Sequence, residues 1–425
     1  MVRIFRPLIG RPSKPERTAM VLVFMVLIAA RLPNVMLHGR VWAEEGSVFL
    51  QYANILPWSQ AIFHPVGGYL NLVANLAGIV AFHMVPLEQV RWVGVATGLL
   101  FQAIPAILIV SSSFDWIQTR LNLVVALLLI ATAPLVEEVW LNSLHPQFHL
   151  TLCAALVLAM DPVRGWNSWF RSMLIFLGAL SGPTTWFLLP LFVARAVIDR
   201  SWPRAMQAAV LAAGVLLQVV FWFQAGQVNG ASFNLSAVIY AFFVHTLLIP
   251  WLDYRSADAI AGGLLKLAAT GIVPVWLALA EVLFTCLVGV LLWLRGRAAC
   301  FWMFAAAIVI AVPSYAAARG GTLDLINIGA GGRYAFVPQV LIALVLLGVA
   351  VTGKTWIGMS ARVGVVWLLV IGIFEFHDDP VHRSYNEGPR WVDEVAAWRQ
   401  DHTHVLRIWP EGWTVDLNVT APTGR

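Results

Sequence analysis

The sequence has little charge and little cysteine, and each shortage excludes a class of protein. Charged residues make up 12% of the 425 residues, whereas a soluble domain has roughly 25%. Because 60% of the residues are hydrophobic and the mean hydropathy is +0.79, the chain is predicted to be a membrane protein. The three cysteines lie in or beside apolar runs without metal-ligand spacing, which predicts no disulfide framework. The net charge of +5 falls in short loops, so no nucleic-acid partner is expected.

Apolar runs of about 20 residues recur along the chain, a pattern typical of a polytopic helical protein embedded in a lipid bilayer. Basic residues between Arg3 and Arg17 precede the first run, which is long and lacks a small-residue cleavage site. We therefore expect an uncleaved first span and a cytoplasmic N-terminus. About eleven transmembrane helices are predicted, at residues 19–37, 92–112, 121–135, 148–160, 171–182, 184–199, 205–225, 272–294, 299–318, 334–351 and 362–376.

Two further apolar segments, residues 70–85 and 235–270, contain polar residues or proline and leave the topology open. If residues 70–85 crossed the membrane, most of the basic loops that follow would lie outside. The positive-inside rule therefore favours juxtamembrane or re-entrant helices that stay on the outer side in both segments.

The predicted architecture is an all-α polytopic bundle in residues 1–376, with outer juxtamembrane helices and a first outer loop at residues 38–91. Residues 377–425 are more polar and too few for a large core, so we expect a small periplasmic cap on the outer loops. Within the cap, residues 389–400 predict an amphipathic helix and residues 405–409 a short strand. The expected location is a bacterial inner membrane, with the C-terminus in the periplasm.

The most informative polar motif is Val41-Trp42-Ala43-Glu44-Glu45-Gly46, which directly follows the first apolar run. The two carboxylates open a segment in which apolar residues recur at helical spacing, as in an amphipathic helix on a membrane surface. A solvated pair beside Arg40 is the simpler interpretation. A carboxylate pair at the edge of a span is costly to keep for packing alone, so we expect Glu44 and Glu45 to belong to an active site.

The predicted topology places further polar side chains on the same outer face. They are His64 and Tyr69 in the first loop, Glu137, Glu138, His145 and His149 in the second, and Arg319, Arg333 and Tyr334 near the tenth span. Simpler interpretations exist for these too: a polar loop for the acids, hydrogen-bonded interface residues for the histidines, and a snorkelling arginine. His145 and His149 have the i,i+4 spacing of metal ligands, but Pro146 intervenes and no HExxH motif is present.

These residue types suit the transfer of a sugar from a lipid phosphate. An acceptor hydroxyl needs a general base, which a carboxylate can supply. The leaving lipid phosphate needs positive charge, and the guanidinium fork of arginine matches it. A lipid-linked donor arrives from within the bilayer, which accounts for an active site at the membrane edge. One of Glu44 and Glu45 would be the base, and the other would orient the acceptor or hold a metal.

The order of a basic tail, one span, an acidic pair, a surface helix and a His-Pro segment resembles the GT-C superfamily of membrane glycosyltransferases. Its members include protein O-mannosyltransferases, aminoarabinose transferases and oligosaccharyltransferases. The segment 42–46 stands where they carry an Asp-Glu or Glu-Asp motif, and Phe63-His64-Pro65 stands near their His-Pro-Pro segment. Glu137-Glu138 lies where the family holds another acid, and Gly332-Arg333-Tyr334 resembles its Gly-Arg-Tyr element.

This chain departs from the family pattern in two places: its first acid is Glu rather than Asp, and only one proline follows His64. The resemblance covers the chain to about residue 376, mainly as topology. It implies a polyprenyl-phosphate-linked sugar as donor and a glycan, lipid or protein as acceptor. In some branches it also implies a divalent cation, Mg or Mn, for which Glu45 and Glu137 are the candidate ligands.

Two functions from other classes compete with this one. A flippase for lipid-linked sugars or polysaccharides would keep ionisable residues and broken helices near the bilayer midplane. A non-catalytic envelope assembly protein would tolerate the loss of Glu44 and Glu45. The acids cluster at one outer edge and the spans are mostly uncharged, which favours the enzyme.

Overall fold

The computed structural model describes residues 10–225, 234–318, 323–376 and 385–419, and they are mainly helical. The α-helices are, in chain order, α1 (Lys14–Arg31), α2 (Pro33–His38), α3 (Gln51–Ile55), α4 (Trp58–Ala61), α5 (Leu72–His83), α6 (Val90–Ser111), α7 (Arg120–Ala131), α8 (Pro146–Ala159), α9 (Trp166–Ser181), α10 (Leu189–Asp199), α11 (Trp202–Gln224), α12 (Leu235–Phe242), α13 (Tyr254–Ala269), α14 (Val275–Leu294), α15 (Ala298–Ala316), α16 (Gly332–Thr352), α17 (Trp356–Phe374) and α18 (Trp391–Gln400). Wider π-helical turns lie at Glu45–Leu50 and Phe243–Leu248, and tighter 3₁₀ turns at Leu87–Gln89, Asp115–Ile117, Glu137–Val139, Pro183–Leu188, Ile249–Trp251 and Asp324–Ile326.

Within the described ranges, six helices are long and apolar enough to cross a membrane. They are Leu87–Ser111, Trp202–Gln224, Val275–Leu294, Ala298–Ala316, Gly332–Thr352 and Trp356–Phe374. These helices match the spans predicted at 92–112, 205–225, 272–294, 299–318, 334–351 and 362–376. The all-α membrane character is therefore confirmed, while a total of about eleven spans stays a prediction.

The other predicted spans correspond to helices that are shorter or more charged. Helix α1 has 18 residues and carries four charged side chains, at Lys14, Glu16, Arg17 and Arg31. Helices α7, α8, α9 and α10 have 12, 14, 16 and 11 residues. A straight helix needs about 20 residues to cross the hydrocarbon core. The two ambiguous segments are also short where they are apolar, with α5 at 12 residues and a broken apolar stretch at Leu235–Trp251.

Helix α8 forms the centre of the bundle, because all of its residues are buried. It packs against α6, α9, α15 and α16. The last carbonyls of a helix lack hydrogen-bond donors within the helix, and here two arginines donate to them. Arg204 donates to the carbonyl oxygens of Val157 (3.1 Å) and Met160, and Arg195 donates to that of Leu158. One end of the central helix is thus fixed by charged side chains from α10 and α11.

The C-terminal segment packs on the first loop. It comprises α18 and a two-stranded antiparallel sheet, β1 (Leu406–Ile408) and β2 (Trp413–Val415). These elements confirm the helix and the strand expected there. The Trp391 indole donates to the Leu87 carbonyl (2.6 Å), and Arg399 pairs with Glu88 (2.7 Å). Trp409 forms a parallel bridge with Trp42, directly beside the first acidic pair.

Candidate active site

The first acidic pair opens a helical segment, as expected, but its two carboxylates lie in different surroundings. Ala43, just before the pair, has a φ of +34°, in a region that non-glycine residues rarely adopt. From Glu45 the backbone continues as a π-helical turn into α3. Glu44 is half-buried and lines a cavity, whereas Glu45 is only 8% exposed and packs inside the protein.

Glu45 is a packed side chain with both carboxylate oxygens occupied. One oxygen accepts from the Trp42 N–H (2.9 Å), and the other accepts from the Ser143 hydroxyl (2.7 Å) and the Ser143 N–H. Gly94 on α6 makes room for it, because a Cβ there would lie 2.5 Å from a Glu45 oxygen. Burial raises the pKa of the Glu45 carboxyl. Glu45 is therefore part of the packing between the first loop and α6, and of this pair Glu44 lines the cavity.

Glu44 lines a cavity of about 130 Å³ together with several residues predicted from the sequence. The predicted residues in its wall are Tyr69, His145, Arg333 and Tyr334. Sequence reasoning missed other polar members, and no spacing pattern marks them; they are Asn71, Thr184 and Ser314. Among the residues that the structure describes, the Glu44 carboxylate has no hydrogen-bond or ion-pair partner. The cavity therefore combines an unpaired carboxylate with a guanidinium and neutral polar groups.

The second acidic pair is divided in the same way. Glu138 forms an ion pair with Arg333, and its Oε1 lies 3.7 Å from Nε2 of His145. Glu137 instead points into the bundle, where it is paired with the buried Arg31 (2.5 Å). Arg31 was not predicted, although an arginine inside an apolar run is a recognisable signal of a buried polar partner. Glu138 thus supports the cavity wall, and Glu137 holds α1 against the second loop.

Strained backbone lies in the two loops that carry the acidic pairs. Leu135 and Leu141 both have a φ of +55°, and Ala43 has +34°. Such conformations cost about 1–3 kcal/mol each and persist only where the surrounding structure holds them. Gly332 also packs so closely on the Leu135 carbonyl oxygen that no Cβ fits there. This close approach brings the start of α16, and with it Arg333, next to the second acidic pair.

Two other predicted residues, His64 and His149, do not line this cavity. His64 packs against the Tyr52 ring at 4.0 Å, and burial lowers its pKa. His149 packs between Trp140 and Phe336, with Nε2 3.1 Å from the Val139 carbonyl oxygen. Arg319 lies outside the described residues. His145 and His149 therefore have separate partners in spite of their i,i+4 spacing.

The candidate metal ligands do not form a set. In residues 10–225, 234–318, 323–376 and 385–419, no group of three or more His, Cys, Asp or Glu side chains is placed to hold a metal ion. Glu45 is engaged by Trp42 and Ser143, and one Glu137 oxygen is engaged by Arg31. These residues do not fit a divalent-cation site.

The electrostatics of the cavity leave one anion and one cation beside neutral hydrogen-bonding groups. Burial, together with the positive charge of Arg333, holds the pKa of His145 well below 6.5, so its imidazole is neutral at physiological pH. Glu138 partly neutralises Arg333, whose guanidinium also lies against the Tyr334 ring at 5.0 Å. Such a site can accept a proton on one side and bind an anionic oxygen on the other.

No family model, no curated protein and no solved structure matches this chain.

Proposed function

We propose that this protein is a GT-C-type glycosyltransferase that moves a sugar from a polyprenyl-phosphate donor to an envelope acceptor. The observation that carries the proposal is that the carboxylate of Glu44, which has no partner among the described residues, and the guanidinium of Arg333 line the same cavity. The two residues are far apart in the sequence, one in the first loop and the other at the start of α16. A base and a phosphate-binding group are the two parts that this reaction needs.

Glu44 acts as the general base. The acceptor hydroxyl oxygen attacks the anomeric carbon of the sugar, and its proton passes to the Glu44 carboxylate. The bond between the anomeric carbon and the phosphate oxygen breaks, and its electron pair stays on the leaving polyprenyl phosphate. The products are the glycosylated acceptor and a lipid phosphate with one more negative charge to stabilise.

Arg333 stabilises that charge. A guanidinium carries five N–H donors in a fixed plane. Glu138 engages Nη1, and the Tyr334 hydroxyl lies 3.5 Å from Nη2. These contacts fix the plane of the fork beside the cavity and leave donors for a phosphate oxygen. A lysine would keep the charge without the fork.

The neutral polar groups of the wall suit the sugar itself. Asn71, Thr184 and Ser314 offer hydrogen-bonding groups, and the Ser314 hydroxyl is buried without a partner among the described residues. Aromatic rings of Tyr69 and Tyr334 lie in the same wall. Polar groups with an apolar ring surface are the combination that a polyhydroxylated ring uses.

We place the cavity on the periplasmic side of a bacterial inner membrane, with the N-terminus inside. The basic loops between the spans support this orientation through the positive-inside rule. A reporter active only in the periplasm should be silent when fused after Arg120 and active when fused after Arg425. Activity after Arg120 would invert the proposed orientation.

The function is tested with purified protein in lipid nanodiscs, a panel of polyprenyl-phosphate sugars and an envelope extract as acceptor source. Mass spectrometry should show free polyprenyl phosphate and a labelled acceptor for one donor of the panel, and neither product without protein. If all donors stay intact while one crosses the bilayer of protein-containing vesicles, transport replaces transfer as the function. If neither occurs for any donor, the assembly hypothesis takes its place.

A further inference from the structure

A buried arginine outside the cavity, Arg40, joins the first loop, the second loop and the C-terminal segment. Arg40 is 1% exposed. Its guanidinium donates to the Trp140 carbonyl (2.8 Å) in the loop that carries the second acidic pair, and to the Tyr385 carbonyl (2.6 Å) in the C-terminal segment. It also lies over the Trp42 ring, 4.6 Å from the ring centre, and near the Trp409 ring at 5.8 Å.

The same C-terminal segment is hydrogen-bonded to the backbone just before Glu44. The Trp409 N–H donates to the Val41 carbonyl (3.1 Å), and the Trp409 carbonyl accepts from the Ala43 N–H. The Trp42 ring stacks on Tyr385 with ring centres 5.0 Å apart. The backbone of residues 41–43 is therefore paired with the C-terminal segment on both sides of Trp42.

These hydrogen bonds hold the backbone at a strained residue, Ala43. Ala43 has a φ of +34°, and the chain turns there so that Glu44 faces the cavity while Glu45 packs inside. A strained residue relaxes when its supports are removed. The bonds from Trp409, which Arg40 secures through Tyr385 and the stacked rings, support Ala43 directly, together with the bond from the Ser47 hydroxyl to the Ala43 carbonyl (3.1 Å).

We propose that Arg40 is a positioning residue that locks the C-terminal segment onto residues 41–43 and so holds the turn that presents Glu44 to the cavity. The catalytic part of this inference rests on the proposed function. The lock itself is a property of the fold and can be measured without activity.

The first measurement compares Arg40→Lys with the wild type by hydrogen exchange of the peptide that contains residues 41–50. Lysine keeps the charge but cannot donate to two carbonyls in one plane while lying flat on an indole ring. Exchange should be at least about tenfold faster in Arg40→Lys, as expected when about 1.4 kcal/mol of local support is lost. Trp409→Phe, which keeps Arg40 but removes the indole, should shift exchange in the same direction if Arg40→Lys fails to fold. Unchanged exchange in both variants would overturn the proposed lock.

The second measurement asks whether the lock matters for catalysis through Ala43. With transfer as the assay, Arg40→Lys should lower kcat by about 100-fold, the cost of a misplacement near 1 Å, and leave the donor KM unchanged. Glycine adopts positive φ freely, so in an A43G background the same change should cost tenfold or less. Arg399→Lys is the matched control, because it makes the same chemical change at an exposed arginine of the C-terminal segment. An equal loss of kcat in both backgrounds would refute the role of the turn. A wild type without transfer activity would instead refute the proposed function. Hydrogen exchange of residues 41–50 would still show whether Arg40 holds the C-terminal segment on residues 41–43.

Discussion

Replacing Glu44 and Glu45 one at a time should separate chemistry from packing, because the neighbouring carboxylates have different surroundings. Glu44→Ala removes a half-buried carboxylate that has no partner among the described residues. Its unfolding free energy should stay within about 0.5 kcal/mol of the wild type. Its sugar transfer should fall by about 10²–10⁴-fold, the contribution of a positioned proton acceptor.

Glu45→Ala should do the reverse. Three donors, the Trp42 N–H and the Ser143 N–H and hydroxyl, lose their acceptor inside the protein. Each buried donor left unpaired costs about 1–3 kcal/mol. A void of about 20 Å³ beside Glu45 can admit a water that satisfies one of them. The expected loss of stability is therefore about 3 kcal/mol, near the lower end of the sum.

The assay pairs thermal unfolding in detergent with transfer per folded molecule, both measured on the same preparation. Transfer by folded Glu45→Ala should stay within about tenfold of the wild type, because Glu45 does not face the cavity. A Glu44→Ala variant with full transfer would remove the base from the mechanism. A Glu45→Ala variant with full stability and no transfer would exchange the two roles.

Three further results are expected. Arg333→Ala should lower transfer by about 10²–10³-fold, and Arg333→Lys should recover only part of it, because the charge returns without the fork; full transfer by Arg333→Ala would place the phosphate elsewhere. Glu137→Ala should lower the unfolding free energy by about 3–5 kcal/mol, since it leaves Arg31 buried without its counter-charge; an unchanged melting temperature would contradict this. Burial raises the pKa of Glu45 above its usual 4.5, so its proton stabilises the native state fully below that pH, and this stability is lost as pH rises through the native pKa. A melting series in pH should show this decline in the wild type and not in Glu45→Ala.

The sequence allowed the helical membrane class and the charged residues of the cavity wall to be predicted, because both depend on local patterns. Long, mostly apolar runs identify α14 and α16 without reference to any other part of the chain. The acid at Glu44 and the arginine at Arg333 stand out because charge is rare in such a chain. These signals need no knowledge of packing.

The division of each acidic pair could not be predicted, because it depends on contacts between distant segments. Glu45 turns inward since Gly94 leaves space and Ser143 supplies donors, and neither residue is close in sequence. Glu137 turns inward because its ion-pair partner, Arg31 of α1, is buried there. Adjacent residues with the same chemistry give no pattern that distinguishes the member in the cavity from the member in the core.

The shortness of α8 has a consequence for the depth at which the proposed lipid donor would bind. Its 14 residues are about 21 Å long, whereas the hydrocarbon core of a bilayer is about 30 Å thick. The charged side chains at its C-terminal end, Arg195 and Arg204, belong near one aqueous surface. Its other end, where Gln147 meets the cavity, then stops about 9 Å short of the opposite headgroup layer. Under the proposed function, a lipid phosphate that contacts Arg333 would lie deeper than the neighbouring headgroups, in a layer of lower dielectric constant where each charge contact is stronger.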